Sequence, residues 1–263
     1  MKETTDIFGY NFICNLNYEQ IAEELMRDVE TQWSMITNFI TPNAHGINMY
    51  LKYPELNRFC RDSRYILPDG QPIVWLSKFT PRSIRERLTG SDFFPVIFGK
   101  LKNEKYKCLL VVSTPVVAKG LAADKPDGFF IVPEFFEMNE TAKIEAIARE
   151  MAKLISREKI QYVFIGVSEP KQGALAQATT NLLKGQQFPG NVVFFFLGAS
   201  YEFYLGMKKR APAAFRKTGM EWFFRLITEP KRMYKRYIWG NLLFVMRATG
   251  WIVNRKLYSA QKQ

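Results

Sequence analysis

Short polar segments of this chain follow predicted strands and contain side chains that could carry chemistry. They cover residues 41–43, 67–70, 86–92 and 169–172. One of these segments contains the carboxylate of Asp69, and another the guanidinium of Arg87. The same residue types also have structural uses, because Asp-Gly is a common turn pair and Thr and Asn commonly cap helices. Spacing alone therefore leaves both interpretations open for Asp69, Thr41 and Asn43, and Arg87 is equally open as a solvated charge.

Several familiar kinds of catalytic site are missing from the sequence. The only histidine is His45, so Ser-His-Asp triads and histidine-based zinc sites lack their residues. No Asp-x-Asp pair occurs, although Mg²⁺- or Mn²⁺-dependent sugar-nucleotide enzymes usually need closely spaced carboxylates. Gly-x-Gly-x-x-Gly and Walker loops are also absent. The sequence argues against dehydrogenases, P-loop proteins and metal-dependent transferases, and we expect neither a metal nor a cofactor.

Hydrophobic patterns predict the elements that position these segments. Apolar runs without alternation are typical of strands covered on both faces, and they occur at 108–113, 162–167 and 191–197. A further buried strand is predicted at 35–40, and helices at 140–157 and 171–183. This order predicts right-handed crossovers and an α/β, Rossmann-like, mostly parallel sheet flanked by helices, with ligands at the carboxyl ends of its strands.

An amphipathic helix is predicted near the start of the chain. Asn17 and Gln20 form a capping pattern at its first turn. The apolar residues that follow return every four positions: Ile21, Leu25, Val29 and Trp33. We therefore expect one buried stripe that contains all four side chains.

Basic residues are concentrated at the C-terminal end. The formal charge is +12, and residues 201–263 hold 14 Lys and Arg against 3 Asp and Glu, whereas residues 1–200 hold 23 against 22. We therefore expect an anionic partner to bind residues 201–263 rather than the whole surface of the protein. We predict an α/β catalytic body over 1–206 and a basic, aromatic-rich helical appendage over 207–263 that associates with membranes.

The spacing of residues in the appendage indicates an amphipathic helix. Arg225, Arg232 and Arg236 fall within about 40° of one another in helical geometry. An apolar face adjoins them, made of Met233, Tyr237, Gly240 and Phe244. Such a helix suits an anionic membrane surface, with a helix packed on the body as the alternative. Its longest charge-free run, 237–246, is too short to span a bilayer.

The cysteine spacing and the first eleven residues indicate the cellular compartment of the protein. Cys14, Cys60 and Cys108 are odd in number and widely spaced, which indicates neither a disulfide framework nor a zinc site. Residues 1–11 lack the basic and apolar regions of a signal peptide. The sequence therefore predicts a reduced, cytosolic location.

The order of these segments resembles a bacterial glycosyltransferase family. Its members are N-acetylmannosaminyltransferases that build enterobacterial common antigen and wall teichoic acid linkage units, together with relatives that make exopolysaccharides. The resemblance covers roughly residues 38–240. The motifs that carry it are Thr41-Pro42-Asn43, Leu67-Pro68-Asp69-Gly70 with Val74-Trp75, Glu86 to Asp92, Pro170-Lys171-Gln172, Gly198-Ala199 with Phe203 and Gly206, Arg210-Ala211-Pro212, Gly219 to Arg225, and Glu229 to Arg232.

The resemblance implies a specific activity. It implies inverting, metal-independent transfer of a sugar from a UDP-sugar to a polyprenyl-diphosphate-linked acceptor, by a peripheral protein on the cytoplasmic face of the inner membrane. Asp69 matches the family's general base. The matching substrate-binding positions are Thr41, Asn43, Arg87, Gln172, Arg225, Arg232 and Arg236. Nucleic acid is not an expected partner, whereas a homo-oligomer is compatible with this arrangement.

Departures from the family pattern keep a second function open. Gly173 stands where the family has a glutamate, and 167–169 and 113–115 replace glycine-containing turns. The helix predicted after 115 is shorter than in the family, and 123–128 is predicted to be a turn, so 113–128 is altered as a whole. These changes would suit a catalytically weakened or inactive member that acts as a membrane scaffold in a polysaccharide-synthesis complex. Single-stranded nucleic-acid binding by the aromatic and basic residues of the appendage is a third alternative.

Overall fold

The computed structural model describes residues 2–208, 210–212, 215, 221–228 and 243–253. The strands are β1 (Thr4–Ile7), β2 (Tyr10–Ile13), β3 (Ile36–Ile40), β4 (Tyr65–Ile66), β5 (Cys108–Val111), β6 (Phe129–Ile131), β7 (Tyr162–Ile165) and β8 (Val192–Phe196). The helices are α1 (Tyr18–Thr31), α2 (Ala44–Tyr50), α3 (Pro54–Arg61), α4 (Gln71–Leu76), α5 (Gly90–Lys100), α6 (Pro115–Asp124), α7 (Thr141–Glu158), α8 (Lys171–Gly185), α9 (Ser200–Tyr204), α10 (Glu221–Thr228) and α11 (243–253).

The main sheet has the predicted parallel topology. Its strand order is β4-β3-β8-β7-β5-β6, and every neighbouring pair is parallel. All residues of β5, β7 and β8 are buried, as expected for strands that have helices on both faces. The predicted α/β fold is therefore confirmed, and β1 and β2 add a separate antiparallel hairpin that the sequence patterns did not indicate.

Alternate residues of the strands build two apolar layers. On β5, Leu109 and Val111 pack with α2, α3, α4, α7 and α8, whereas Cys108 and Leu110 pack with α1, α5, α6 and α9. This alternation follows from the two-residue period of a strand. The sheet is thus the middle layer of three. Loops rather than helices lie directly at the carboxyl ends of its strands.

Helix α1 begins as predicted but ends before Trp33. Asn17 accepts a hydrogen bond from the Gln20 backbone, and the Gln20 side chain returns one to Asn17, which completes the capping box. Trp33 lies beyond the end of the helix and is 89% exposed. Its assignment to the buried stripe was wrong, because the backbone becomes extended at Gln32 and turns at Ser34 to enter β3.

Helix α11 packs on the N-terminal hairpin. Phe244 is 3% exposed, and its ring centroid lies 5.6 Å from that of Phe8, while Trp251 contacts the same ring at 5.7 Å. Arg247 donates a hydrogen bond to the Asn48 side chain on α2. The assignment of Phe244 to a membrane-facing surface was therefore wrong. The exposed apolar residues of this helix are Leu243, Val245, Met246 and Val253.

Burial explains why the cysteines are poor nucleophiles here. Cys14, Cys60 and Cys108 are all free and buried. Burial raises the pKa of the Cys108 thiol to about 12, so the group stays protonated at neutral pH. A role for Cys108 in covalent chemistry is not supported.

We expect Lys125, which ends α6, to matter for stability. Its ammonium is fully buried and binds the Asn103 carbonyl at 2.9 Å and the Asp127 carboxylate at 2.8 Å. Lys125→Met keeps the aliphatic volume but leaves both acceptors without this donor, so it should lower the free energy of unfolding by about 1.5–3 kcal/mol. Urea unfolding measures the change. Lys119→Met, at an exposed lysine of α6, is the control, and an equal effect in both variants would contradict the prediction.

Candidate active site

The predicted site segments lie at one edge of the sheet. Residues 41–43 follow β3, 67–70 follow β4, 166–170 follow β7 and 197–200 follow β8. These four strands are adjacent in the order β4-β3-β8-β7. The carboxyl ends of parallel strands meet at the same edge, so the structure gathers these segments where the sequence placed a ligand site.

Asp69 lies in a tight turn between β4 and α4. Its backbone N–H donates to the Leu67 carbonyl at 3.0 Å. Gly70 follows with a φ of 152°, a conformation that other residues adopt only with strain. A side-chain carbon at Gly70 would stand 3.4 Å from Asn43 Cβ, so the turn lies against the start of α2. Asp69 is thus held half-buried beside the 41–43 segment.

The 86–92 segment is hydrogen-bonded to the same turn, although it follows the 3-10 helix Ser77–Phe79 and a loop, so its predicted position at a strand end was wrong. The Leu88 N–H donates to the Pro68 carbonyl at 3.0 Å. This hydrogen bond places half-buried Arg87 in a loop segment beside Asp69. Thr89 then caps α5 by accepting a hydrogen bond from the Asp92 backbone at 3.1 Å. The loops of Arg87 and Asp69 are therefore neighbours in the structure, and the roles predicted for the two side chains stay predictions.

Tyr18 is a neighbour of this cluster that sequence reasoning missed. Its hydroxyl accepts a hydrogen bond from the Thr89 N–H at 2.8 Å. Burial raises the pKa of the Tyr18 phenol, and the negative charges of Asp92 and Asp69 raise it further. The phenol therefore stands within electrostatic range of both carboxylates and stays protonated. Tyr18 is the first residue of α1, and only the fold brings it here.

Thr41 joins three segments of the edge. A side-chain carbon at Gly90 would stand 2.9 Å from Thr41 Oγ1 and 3.6 Å from the Ser200 hydroxyl. A residue larger than glycine at the start of α5 would therefore displace Thr41. The loops after β3 and β8 and the first turn of α5 converge at this point.

Asn43 and Gln172 organise the backbone around the site. Asn43 Oδ1 accepts a hydrogen bond from the Gly46 N–H at 3.0 Å, which caps α2 as the sequence allowed. Gln172, 2% exposed in the first turn of α8, accepts one from the Gly198 N–H at 3.1 Å. Gln172 thus links the β7 and β8 loops, and its predicted contact with substrate stays a prediction.

Glu169 brings a second carboxylate to this edge. Its Oε2 lies 2.7 Å from where a side-chain carbon at Gly46 would stand, so the carboxylate rests against the first turn of α2. Burial raises the pKa of Tyr50 well above its usual value, and the charge of Glu169 raises it further. No local sequence pattern indicates this contact, because it joins residues from separate loops.

Arg210 fixes the start of the basic C-terminal segment to α5. Its guanidinium binds the Asp92 carboxylate at 2.8 Å and the Ser91 hydroxyl at 3.2 Å, and it lies 5.8 Å from the Phe203 ring centroid. Charge-assisted hydrogen bonds of this kind are strong and directional. The first arginine after Gly206 is therefore anchored close to the loop that carries Arg87.

The remaining predicted arginines fall partly or wholly outside the described residues. The backbone of Arg225 lies in α10, but its side chain is outside the description. Arg232 and Arg236 lie outside the described residues altogether. Their roles stay predictions.

The part of the chain that the structure describes contains neither a candidate metal cluster nor a helix that could span a membrane. Within 2–208 and the described parts of the C-terminal segment, no cluster of three or more His, Cys, Asp or Glu side chains could hold a metal ion. Over the same residues, no helix combines the length and apolar character needed to cross a bilayer.

Comparison with known proteins identifies the family. The model of the glycosyl transferase WecG/TagA/CpsF family matches residues 5–258. The chain belongs to this family. The resemblance found in the ordered motifs is thereby confirmed, and the edge that carries Asp69 is the candidate active site of a WecG/TagA/CpsF glycosyl transferase.

Relatives of this glycosyl transferase share one name, N-acetylglucosaminyldiphosphoundecaprenol N-acetyl-β-D-mannosaminyltransferase. The protein of Bacillus subtilis (strain 168) is 28% identical over 179 residues, which cover 67% of this chain and 65% of the relative. That of Bacillus spizizenii is 24% identical over 212 residues, 80% of this chain and 76% of the relative. The protein of Staphylococcus aureus (strain MRSA252) is 23% identical over 228 residues, which cover 87% of this chain and 86% of the relative.

Proposed function

We propose that this protein transfers a sugar from a UDP-sugar to a sugar carried on a polyprenyl diphosphate, at the cytoplasmic face of the inner membrane. The position of Asp69 carries the proposal. Its half-buried turn lies against the start of α2 and is bonded to the loop of Arg87. The relatives named above support the choice of substrates, since their name specifies a polyprenyl-diphosphate-linked N-acetylglucosamine and an N-acetylmannosaminyl group.

Asp69 acts as the general base in the proposed reaction. The acceptor hydroxyl oxygen bonds to the anomeric carbon of the donor while the bond from that carbon to UDP breaks. Asp69 takes the hydroxyl proton, and UDP leaves with the bonding electron pair. Because the acceptor attacks from the face opposite UDP, the anomeric configuration inverts.

Cationic side chains balance the charge that develops on UDP. In the absence of a metal, this charge requires positioned donors at the leaving group. Arg87 supplies one from the body, and Arg225, Arg232 and Arg236 supply the others from the C-terminal segment. Arginine suits this role because its planar group binds two phosphate oxygens at once.

Product analysis tests the proposal and its metal independence. The full-length protein is incubated with a panel of UDP-sugars and a short-chain polyprenyl-diphosphate N-acetylglucosamine, and products are identified by mass spectrometry. We expect one sugar to be added, a β-linkage by NMR from an α-linked donor, and an unchanged rate in EDTA. Loss of activity in EDTA that Mn²⁺ restores would contradict the metal-independent mechanism.

The altered 113–115 and 167–173 segments favour one second candidate, the membrane scaffold. The 113–115 segment still begins a regular helix. Thr114 is the N-cap of α6, because its side chain accepts a hydrogen bond from the Val117 N–H at 3.3 Å. Calorimetric titration with several UDP-sugars separates the candidates. Binding of none of them, by a folded protein, would favour the scaffold.

A further inference from the structure

Two large aromatic side chains beside the Asp69 turn face the solvent. On α4, Ile73 and Leu76 are buried, whereas Trp75 is 56% exposed. Phe79, at the end of the short 3-10 turn Ser77–Phe79 that follows, is 53% exposed. Single exposed apolar residues are common on proteins, but two exposed aromatic residues four positions apart, on consecutive short helices, indicate a contact surface.

Buried hydrogen bonds hold this turn in place. The fully buried Ser77 hydroxyl donates to the Val74 carbonyl at 2.7 Å and accepts from the Ile84 N–H at 2.8 Å. The Thr5 hydroxyl on β1 donates to the Thr80 hydroxyl at 2.7 Å. The turn is thus fixed to the body on both sides, so Trp75 and Phe79 are presented to solvent by a rigid support.

Basic residues lie close to Trp75 and Phe79 along the chain. Residues 75–87 contain four basic side chains and one acidic side chain, Glu86, although residues 1–200 as a whole are nearly neutral. Lys78 and Arg85 are exposed, and Arg82 is exposed with only a 3.8 Å ion pair to Glu3. Aromatic rings that sit among lysines and arginines match an interface of apolar tails and anionic headgroups.

We propose that this α4 surface, made of Trp75, Lys78, Phe79, Arg82 and Arg85, binds an anionic lipid bilayer. It belongs to the body of the protein and is separate from the basic C-terminal segment. The rings insert among the headgroups, and the cations attract the negative surface.

The α4 surface lies close to the candidate base. Helix α4 starts directly after Gly70, and Trp75 is five residues further on, a rise of about 8 Å along a helix. A bilayer at this surface holds the Asp69 turn beside the headgroup layer, where a polyprenyl-linked acceptor carries its diphosphate. This benefit rests on the proposed function, whereas the binding itself does not.

Vesicle sedimentation without any sugar substrate tests the surface. Full-length Trp75→Ala/Phe79→Ala should partition about tenfold less onto vesicles that contain phosphatidylglycerol. Lys78→Glu should weaken binding to these vesicles and leave binding to phosphatidylcholine vesicles unchanged. Trp33→Ala, at the exposed tryptophan before β3, is the matched control and should bind like the wild type. Thermal unfolding confirms that each variant is folded.

Quenching by brominated lipids reports the contact directly, even if the C-terminal segment dominates the affinity. Trp75→Phe should remove part of the emission that these lipids quench, and Trp33→Phe should not. Equal quenching and equal partition in all variants would overturn the proposal. So would a wild-type dimer in solution that Trp75→Ala/Phe79→Ala dissociates, because the surface would then bind a second copy. Since no substrate is present, either failure is distinct from an absence of transferase activity.

Discussion

Replacement of Asp69 by Asn is expected to lower sugar transfer by about 10²–10⁴-fold, the usual contribution of a general base. The amide keeps the size and the hydrogen-bonding backbone of the turn, but it cannot take the proton of the acceptor hydroxyl. Because the turn is held by the Leu67 and Pro68 carbonyls and by Gly70 rather than by the carboxylate alone, the fold and UDP binding should persist. Turnover with a saturating acceptor, and calorimetric binding of UDP, measure the two effects.

Asp62→Asn is the matched control for this substitution. Asp62 is an exposed acid that ends α3, in the same stretch of chain before β4. It should leave turnover unchanged. If Asp69→Asn retains full turnover while Asp62→Asn does too, the base is another residue, and Glu169 is then the first to examine because its carboxylate lies at the same edge.

Truncation after residue 206 is expected to abolish nearly all transferase activity. The truncated chain lacks the arginines proposed to stabilise UDP, and loss of one such donor already costs about 10²–10³-fold. The body should still fold, since both apolar layers of the sheet are formed mainly before this point. Its free energy of unfolding should fall by about 3 kcal/mol, because Phe244 leaves a buried position. Product formation and urea unfolding on the same samples give the two values.

Single substitutions separate chemistry from attachment in this segment. Arg225→Ala or Arg232→Ala should lower turnover far more than vesicle binding, because one of 14 basic residues in 201–263 contributes little to surface attraction. Phe244→Ala in the full-length chain gives the stability loss without removing an arginine. If turnover and vesicle binding fall in proportion in the arginine variants, the segment serves only as an anchor.

The sequence predicted those parts of the fold that depend on local patterns. Strands β5, β7 and β8 were recognisable because a strand covered on both faces is apolar throughout. The Asn17 cap was recognisable because it involves residues three apart. A strand end was predicted before residue 67, but the bounds of β4 were not, since β4 has two residues and is defined by its pairing with β3. Trp33 followed a helical spacing, but the chain leaves the helix before it.

The candidate site was predictable in outline and not in its contacts. The polar loops could be placed at the carboxyl edge because the strand order implied parallel crossovers. The positions of Tyr18, Glu169 and Arg210 could not, since each contacts a loop far away in the chain and no local pattern records such a pair. The apolar spacing of Phe244 predicts an apolar environment for its side chain. It does not distinguish a bilayer from the Phe8 ring.

The contact between Phe8 and α11 also orders events during synthesis. Phe8 and Phe244 are 236 positions apart, so Phe8 leaves the ribosome long before Phe244. The apolar turn of the hairpin stays uncovered throughout the elongation of the chain, and its closure is a late, non-local step. A chain that stops or is cut before residue 243 lacks α11, so the Phe8 ring stays exposed. Exposed apolar surface of this kind distinguishes incomplete chains from complete ones for chaperones.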